Sequence, residues 1–197
     1  MYKVVNINDH LVQPAAFPSG MDELSALIKE CIAESRSAQK RLYDLYAPAA
    51  YGVIKRYIFN DEFTAQEILN DAFYKVLTKL NQYSFQGPIE GWIRRIVVNT
   101  VTDHLRRTVK EEQSSKELQA EDAFIQSDSV EQISKKELLM LIHSLPEMQR
   151  TVFNLFVFEN FAHKEISALL NLTENNSRWY LNDARRRLKE KISFILK

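Results

Sequence analysis

The amino-acid sequence predicts an all-α protein of two small helical domains joined by an acidic flexible linker, and three observations support this. Glycine and proline are rare, at 4 and 5 of 197 residues, and both disfavour helix interiors. Apolar residues recur at helical spacing over most of the chain. One long stretch is acidic and lacks that spacing, so we expect a linker at 111–128 between domains at 21–110 and 129–197.

Composition limits the classes of function. The 26 basic residues are balanced by 26 acidic ones, so any contact with nucleic acid must come from local patches. A lone cysteine, Cys31, cannot form an intramolecular disulfide and fits a reducing compartment. The sequence has no apolar run of membrane-spanning length and no signal-peptide core, so we expect cytoplasmic localisation without membrane insertion.

The first domain begins after residues 1–20, which we interpret as a flexible extension because they lack helical spacing. Asp22–Glu34 is amphipathic, and Ala38–Phe59 continues the pattern with a kink or restart expected at Pro48. The segment Thr64–Glu67 has the form of a capping box and predicts a helix start. The outer face of that helix carries Asn70, Asp71 and Tyr74, and this segment alone favours plain solvation for it.

Aromatic and basic side chains follow in the same domain. Tyr83 and Phe85 in the loop at 81–91 either stack on unpaired bases or pin the loop to the core. Trp92–Lys110 is rich in β-branched residues, but its apolar spacing predicts a helix. Five basic residues against one acid make this segment a positive patch. Its expected polar stripe consists of Arg95, Asn99, Thr102 and Arg106.

The C-terminal stretch Leu145–Leu188 has the outline of a helix-turn-helix. A short helix at His163–Leu170 precedes Asn171, which suits a left-handed turn, and Thr173, which can cap the next helix. On that next helix Arg178, Asn182, Arg185 and Lys189 recur on one face. Guanidinium groups there can meet guanine edges or phosphates, although charge alone would also fit a solvated bundle surface.

The sequence lacks the common motifs of catalytic, metal-binding and cofactor-binding sites. We find no Cys/His metal spacing, no phosphate-binding glycine loop and no nucleophile elbow. The sequence therefore suggests neither an enzyme nor a cofactor.

Three stretches together resemble the extracytoplasmic-function (ECF) sigma factors of bacterial RNA polymerase, a branch of the sigma-70 family. The first runs from Ala38 to Pro48 and continues at Glu67–Phe73. The second comprises Trp92–Thr100 and Asp103–Arg107. The third includes Leu145–Phe153, Glu165-Ile166 and Ala184–Leu188. They occur in the family's order and cover most of Asp22–Ile192.

The resemblance implies a non-catalytic initiation factor that binds core polymerase and reads the −10 and −35 promoter elements. It implies docking of Asn70, Asp71 and Tyr74 on the β′ clamp helices, contact of the C-terminal domain with the β flap, and regulation by an anti-sigma factor. For −10 DNA it implies contacts from Tyr83, Phe85, Arg94, Arg95, Asn99, Thr102, Arg106 and Arg107. For −35 DNA it implies contacts from Thr173, Asn175, Asn176, Arg178, Asn182 and Arg185.

The chain departs from the family pattern in the second helix of the helix-turn-helix. Asn175-Asn176-Ser177 stands where small and apolar residues are usual, and Trp179-Tyr180 replaces a more polar pair, so base preference does not transfer. One alternative is a free-standing helix-turn-helix regulator that binds DNA without polymerase. Another is a helical scaffold whose basic faces are merely solvated.

Overall fold

The structure is a computed structural model that describes residues 20–112 and 135–195. These residues form eight α-helices, one short 3-10 helix and no strand, which confirms the all-α prediction. The expected extension at 1–20 and linker at 111–128 lie almost wholly outside the described residues. The helices are α1 (Met21–Ile32), α2 (Arg36–Ile54), α3 (Glu62–Lys79), α4 (Ile89–Glu112), α5 (Lys135–His143), α6 (Glu147–Val157), α7 (His163–Leu170) and α8 (Glu174–Ile195), with the 3-10 helix at Leu80–Gln82.

Helices α1–α4 form an N-terminal bundle in which α2 packs against the other three. Its interior includes the fully buried Leu42, Leu69 and Val97, each on the apolar stripe of its helix. Of the kink or restart expected at Pro48, the restart does not occur, because α2 continues through this residue as one helix with Pro48 facing solvent.

The start of α3 differs from the prediction. Asp61 is the N-cap, and its carboxylate accepts a hydrogen bond from the backbone N–H of Thr64 at 2.9 Å. The helix therefore begins at Glu62, and the expected capping box at Thr64–Glu67 lies inside its first turns. Aspartate is a stronger N-cap than threonine, which explains why the earlier residue ends the loop.

Helices α5–α8 form a C-terminal bundle that contains the helix-turn-helix. α7 ends at Leu170, and its C-cap Asn171 has φ 55° and ψ 47°, the left-handed conformation that the sequence predicted. The hydroxyl of Thr173 accepts a hydrogen bond from the Asn176 N–H at 3.1 Å and caps α8, as predicted. These two residues set the angle between α7 and α8.

The two bundles lie against each other through α4 and α7. Buried side chains of both bundles belong to one contiguous hydrophobic cluster, which includes Val101 and Leu105 of α4 and Ile166 and Leu170 of α7. Within the described residues, no helix has the length and hydropathy needed to cross a bilayer.

Candidate nucleic-acid interface

The outer face of α3 is open to solvent. Asn70, Asp71 and Tyr74 are all exposed, and the ring of Tyr74 is 68% exposed. Phe63 is also exposed, three turns before Tyr74 on the same helix. Large apolar side chains in water beside a carboxylate and an amide suit a protein-docking surface.

The loop before α4 holds the two aromatic residues differently. Tyr83 is buried, its hydroxyl donates to the Gly87 carbonyl at 2.6 Å, and its ring packs on Phe85 and Trp92. Burial raises the pKa of Tyr83. Phe85 is exposed and has a positive φ of 59°. Of the two uses that the sequence left open, stacking on bases and fixing the loop to the core, Tyr83 therefore serves the second. Phe85 is the ring that can contact a base.

The exposed side of α4 carries the expected cations. Arg94, Arg95, Asn99, Arg106 and Arg107 are exposed, so four guanidinium groups and one amide lie along about three and a half turns.

Thr102 does not belong to this surface. The prediction that it lines the polar stripe is wrong, because its side chain is fully buried and its hydroxyl donates back to the Val98 carbonyl at 2.9 Å. Helical spacing alone placed it beside Asn99, but the packing of α4 against its neighbours turns this position inward.

The face of α8 that points away from the core contains all the expected −35 contacts on that helix. Asn175, Asn176, Arg178, Asn182 and Arg185 are exposed, and Thr173 is exposed at the cap. Arg178 pairs with Glu174 at 3.0 Å, and the Arg185 guanidinium lies 5.5 Å from the Phe156 ring centroid. Neither contact buries the guanidinium, so both groups can reach an outside partner.

Trp179 was not among the expected contact residues. Its indole is 59% exposed between Arg178 and Asn182 and packs edge-on against Tyr180. Its unusual position was visible in the sequence as a departure from the family pattern, but only the structure shows that the ring faces outward.

A polar contact holds α8 in place beneath this face. The Asp183 carboxylate accepts hydrogen bonds from Arg187 at 2.7 Å, Arg186 at 2.5 Å and Gln149 of α6 at 3.1 Å. The two arginines, with Gln149, lower the pKa of Asp183 to about 2. The carboxylate therefore stays ionised and ties α8 to α6, which packs behind the helix-turn-helix.

Sequence reasoning also missed Arg56 and Glu159, which join the two bundles. Glu159 follows α6, and its carboxylate pairs with Arg56 and with Arg94. These residues are 103 and 65 positions apart in sequence, and no local pattern signals such a contact. One of the expected DNA-contacting arginines is therefore held by the C-terminal bundle.

Two protein-family models match this chain. The model for sigma-70 region 2 matches residues 42–111, and the model for sigma-70 region 4 matches residues 135–188. Together these matches cover well over half of the chain, one in each bundle.

Curated relatives and solved structures agree with these matches. The chain is 25% identical to the RNA polymerase sigma-H factor of Pseudomonas aeruginosa over 186 residues, covering 86% of this chain and 95% of that protein. It is 24% identical to the ECF RNA polymerase sigma factor SigM of Bacillus subtilis over 150 residues, covering 75% and 91%. The sigma factor RpoE of Bartonella quintana, solved with the anti-sigma factor NepR, has a TM-score of 0.50 at 17% identity, covering 78% and 96%.

Proposed function

The chain belongs to the extracytoplasmic-function sigma factors of the sigma-70 family. From this premise we propose which of its surfaces binds core polymerase and which bind the two promoter elements. As a sigma factor it binds core RNA polymerase and directs promoter-specific initiation of transcription. The N-terminal bundle corresponds to region 2 and the C-terminal bundle to region 4. The family consists of initiation factors, and we assign no catalytic role to this chain.

The outer face of α3 is the docking surface for core polymerase in this proposal. Asn70, Asp71 and Tyr74 support it because they project from one helix face and are exposed. An aromatic ring flanked by a carboxylate and an amide combines an apolar anchor with polar groups that fix orientation. The partner would be the β′ clamp helices, and region 4 would meet the β flap.

The −10 element would be read by the loop before α4 and the exposed side of α4. Asn99 is the base-reading candidate, because an amide both donates to and accepts from an extruded base edge. Phe85 can stack on an unpaired base. Arg94, Arg95, Arg106 and Arg107 would contact the sugar-phosphate backbone. Tyr83 and Thr102 are buried, so we assign them to holding the loop and helix in shape.

The −35 element would be read by α8 in the major groove. Arg178, Asn182 and Arg185 are the side chains suited to base edges, and the cap residues Thr173, Asn175 and Asn176 lie where a helix N-terminus meets phosphate. Both bundles then need to engage one promoter, which core polymerase makes possible by fixing their positions.

Two further features follow from the family. We propose that the protein acts in the cytoplasm with polymerase and that an anti-sigma factor controls it. The Bartonella quintana relative was solved with such a factor.

The single observation that carries the proposal is the match to both sigma regions, in order, on one chain. The free-standing regulator is not favoured, because it leaves the region 2 bundle unexplained. Footprinting and open-complex assays with and without core enzyme test the choice. We expect the isolated protein to bind DNA weakly, near the nonspecific range of about 10⁻⁴–10⁻⁶ M, and to become selective once core enzyme is added. A nanomolar footprint that core enzyme does not change would contradict the proposal.

A further inference from the structure

Glu159, in the turn after α6, packs against the region 2 bundle. Its side chain is only 2% exposed. One carboxylate oxygen lies 2.5 Å from Nη2 of Arg56, and the other accepts a hydrogen bond from Nε of Arg94. Nη2 of Arg94 also donates to the Phe158 carbonyl at 2.8 Å. A carboxylate of region 4 thus fills the space between two guanidinium groups of region 2, and the bond to Glu159 raises the pKa of Arg94.

Neighbouring contacts hold the same two surfaces together. Asn154 donates to the Arg56 carbonyl at 2.8 Å, and the Arg56 guanidinium lies 5.0 Å from the Phe158 ring centroid. Phe59 stacks on His143 with ring centroids 4.1 Å apart. The contact therefore combines two ion pairs to one carboxylate, hydrogen bonds and aromatic packing in one closed arrangement of the two regions.

This closed arrangement also contains buried polar atoms without partners. Nε of Arg56, Oδ1 of Asn154 and Nδ1 of His143 are inaccessible to solvent and make no hydrogen bond. Each such atom carries an uncompensated desolvation cost. Opening the contact would return these atoms to water, which offsets part of the cost of breaking the ion pairs and the apolar packing.

The closed arrangement cannot read a whole promoter. Nη1 of Arg106 lies 3.5 Å from the carbonyl of Leu169, which precedes the first residue of α8, Glu174, by five residues. The −10 surface is therefore within about 20 Å of the −35 helix, since a residue spans at most about 3.6 Å. The two elements are about 25 base pairs apart, or roughly 85 Å at 3.4 Å per base pair. Both can be bound only if the regions separate and Glu159 leaves Arg56 and Arg94.

We propose that Arg56 and Arg94 form a binding site for a backbone phosphate of promoter DNA, and that Glu159 occupies this site in the closed, free protein. The inference rests on the proposed function and adds Arg56 to it. A pair of guanidinium groups matches a phosphate as well as a carboxylate. Arg94 is five residues from Asn99, about 7.5 Å along α4 and about 140° around it, so a strand whose base meets Asn99 would reach this site with a phosphate a few nucleotides away, after passing around the helix.

Two substitutions separate the role of Glu159 from that of the arginine pair. Glu159→Gln removes both ion pairs and Arg56→Gln removes one of the two, so both should shift the free protein towards the open state, Glu159→Gln more strongly. Energy transfer between dyes at Lys40→Cys and Lys164→Cys, in a Cys31→Ala background, should fall in each. Glu190→Gln and Arg41→Gln make the same charge changes in ion pairs away from the contact and should leave energy transfer unchanged.

The two substitutions should then differ on DNA with core enzyme present. Arg56→Gln should lower affinity equally for all promoter sequences and reduce the slope of log affinity against log salt by about 0.7–0.9, the loss of one phosphate contact. Glu159→Gln should keep the wild-type slope. Arg56→Lys, which keeps the charge, should restore most of it.

A change made in the DNA locates the phosphate contact with wild-type holoenzyme first. Promoters with single neutral methylphosphonate linkages through the −10 region should bind wild-type holoenzyme less tightly at one position, and that penalty should vanish with Arg56→Gln. An unchanged slope with Arg56→Gln, or no position with such a penalty, would overturn the phosphate site. Unchanged energy transfer in both variants would overturn the role of Glu159. Loss of promoter selection by wild-type holoenzyme would instead contradict the proposed function.

Discussion

Arg178 offers the most direct test of −35 recognition. Its side chain is 57% exposed and its partner Glu174 is one turn earlier at 3.0 Å. Breaking this exposed pair costs only about 0.2–1 kcal/mol, whereas a bidentate contact to guanine contributes about 1–3 kcal/mol of discrimination. The Arg178→Ala variant should therefore lose about 1–2 kcal/mol of promoter discrimination, or roughly five- to thirtyfold in relative affinity.

The assay compares holoenzymes that contain wild-type or Arg178→Ala protein on promoters with every single-base change in the −35 element. A base contact predicts that the preference at one position flattens. A phosphate contact predicts a uniform loss of affinity and a salt slope lower by about 0.9. Lys40→Ala removes an exposed cation from α2 and serves as the control. Unchanged affinities, rank order and salt slope would refute the assignment of Arg178 to DNA.

Three other substitutions test separate parts of the molecule. Asn99→Ala should change base preference at one −10 position, as measured by transcription from single-base promoter variants. The protein should stay folded, because Asn99 is exposed on α4. Asp71→Arg should abolish the gain in promoter binding that core enzyme provides, as measured by footprinting. Burial, with Arg150 and Lys55, lowers the pKa of His143 to about 4, below its ordinary value of about 6.5. Neutral His143 therefore contributes stability that is complete above about pH 6.5 and is lost as the pH falls towards 4, by up to about 3 kcal/mol. Urea unfolding at pH 7 and pH 4.5 should show this loss, and His143→Gln should show less of it.

Each of these has an outcome that would count against it. For Asn99 it is an unchanged rank order of the promoter variants. For Asp71 it is core-dependent binding that survives the substitution, with Asp44→Arg, a charge reversal at a surface carboxylate of α2, as the matched control. For His143 it is an equal loss of stability in wild type and His143→Gln on acidification.

Local signals in the sequence were sufficient for most helices and for the helix-turn-helix. The bounds of α7 were predicted to the residue, because Asn171 and Thr173 act through bonds and dihedral angles within a few positions of themselves. The prediction failed at the start of α3, where Asp61 competed with Thr64 as the cap. At Pro48 the sequence left a kink and a restart open, and the restart does not occur, since α2 packs on three neighbouring helices and is continuous.

The pattern of the sequence alone identified most of the apolar stripes and the residue types available for DNA, because helical spacing is a local property. It misplaced Ile32 and Ala49, which were expected to face inward and are exposed. The neighbouring helices decided which side chains outside the apolar stripes are exposed. They bury Thr102 and Tyr83 and leave Trp179 in solvent. The pairing of Glu159 with Arg56 and Arg94 was decided only by the tertiary structure. An ion pair between residues far apart in sequence depends on how two bundles dock, and no periodicity within either bundle records that docking.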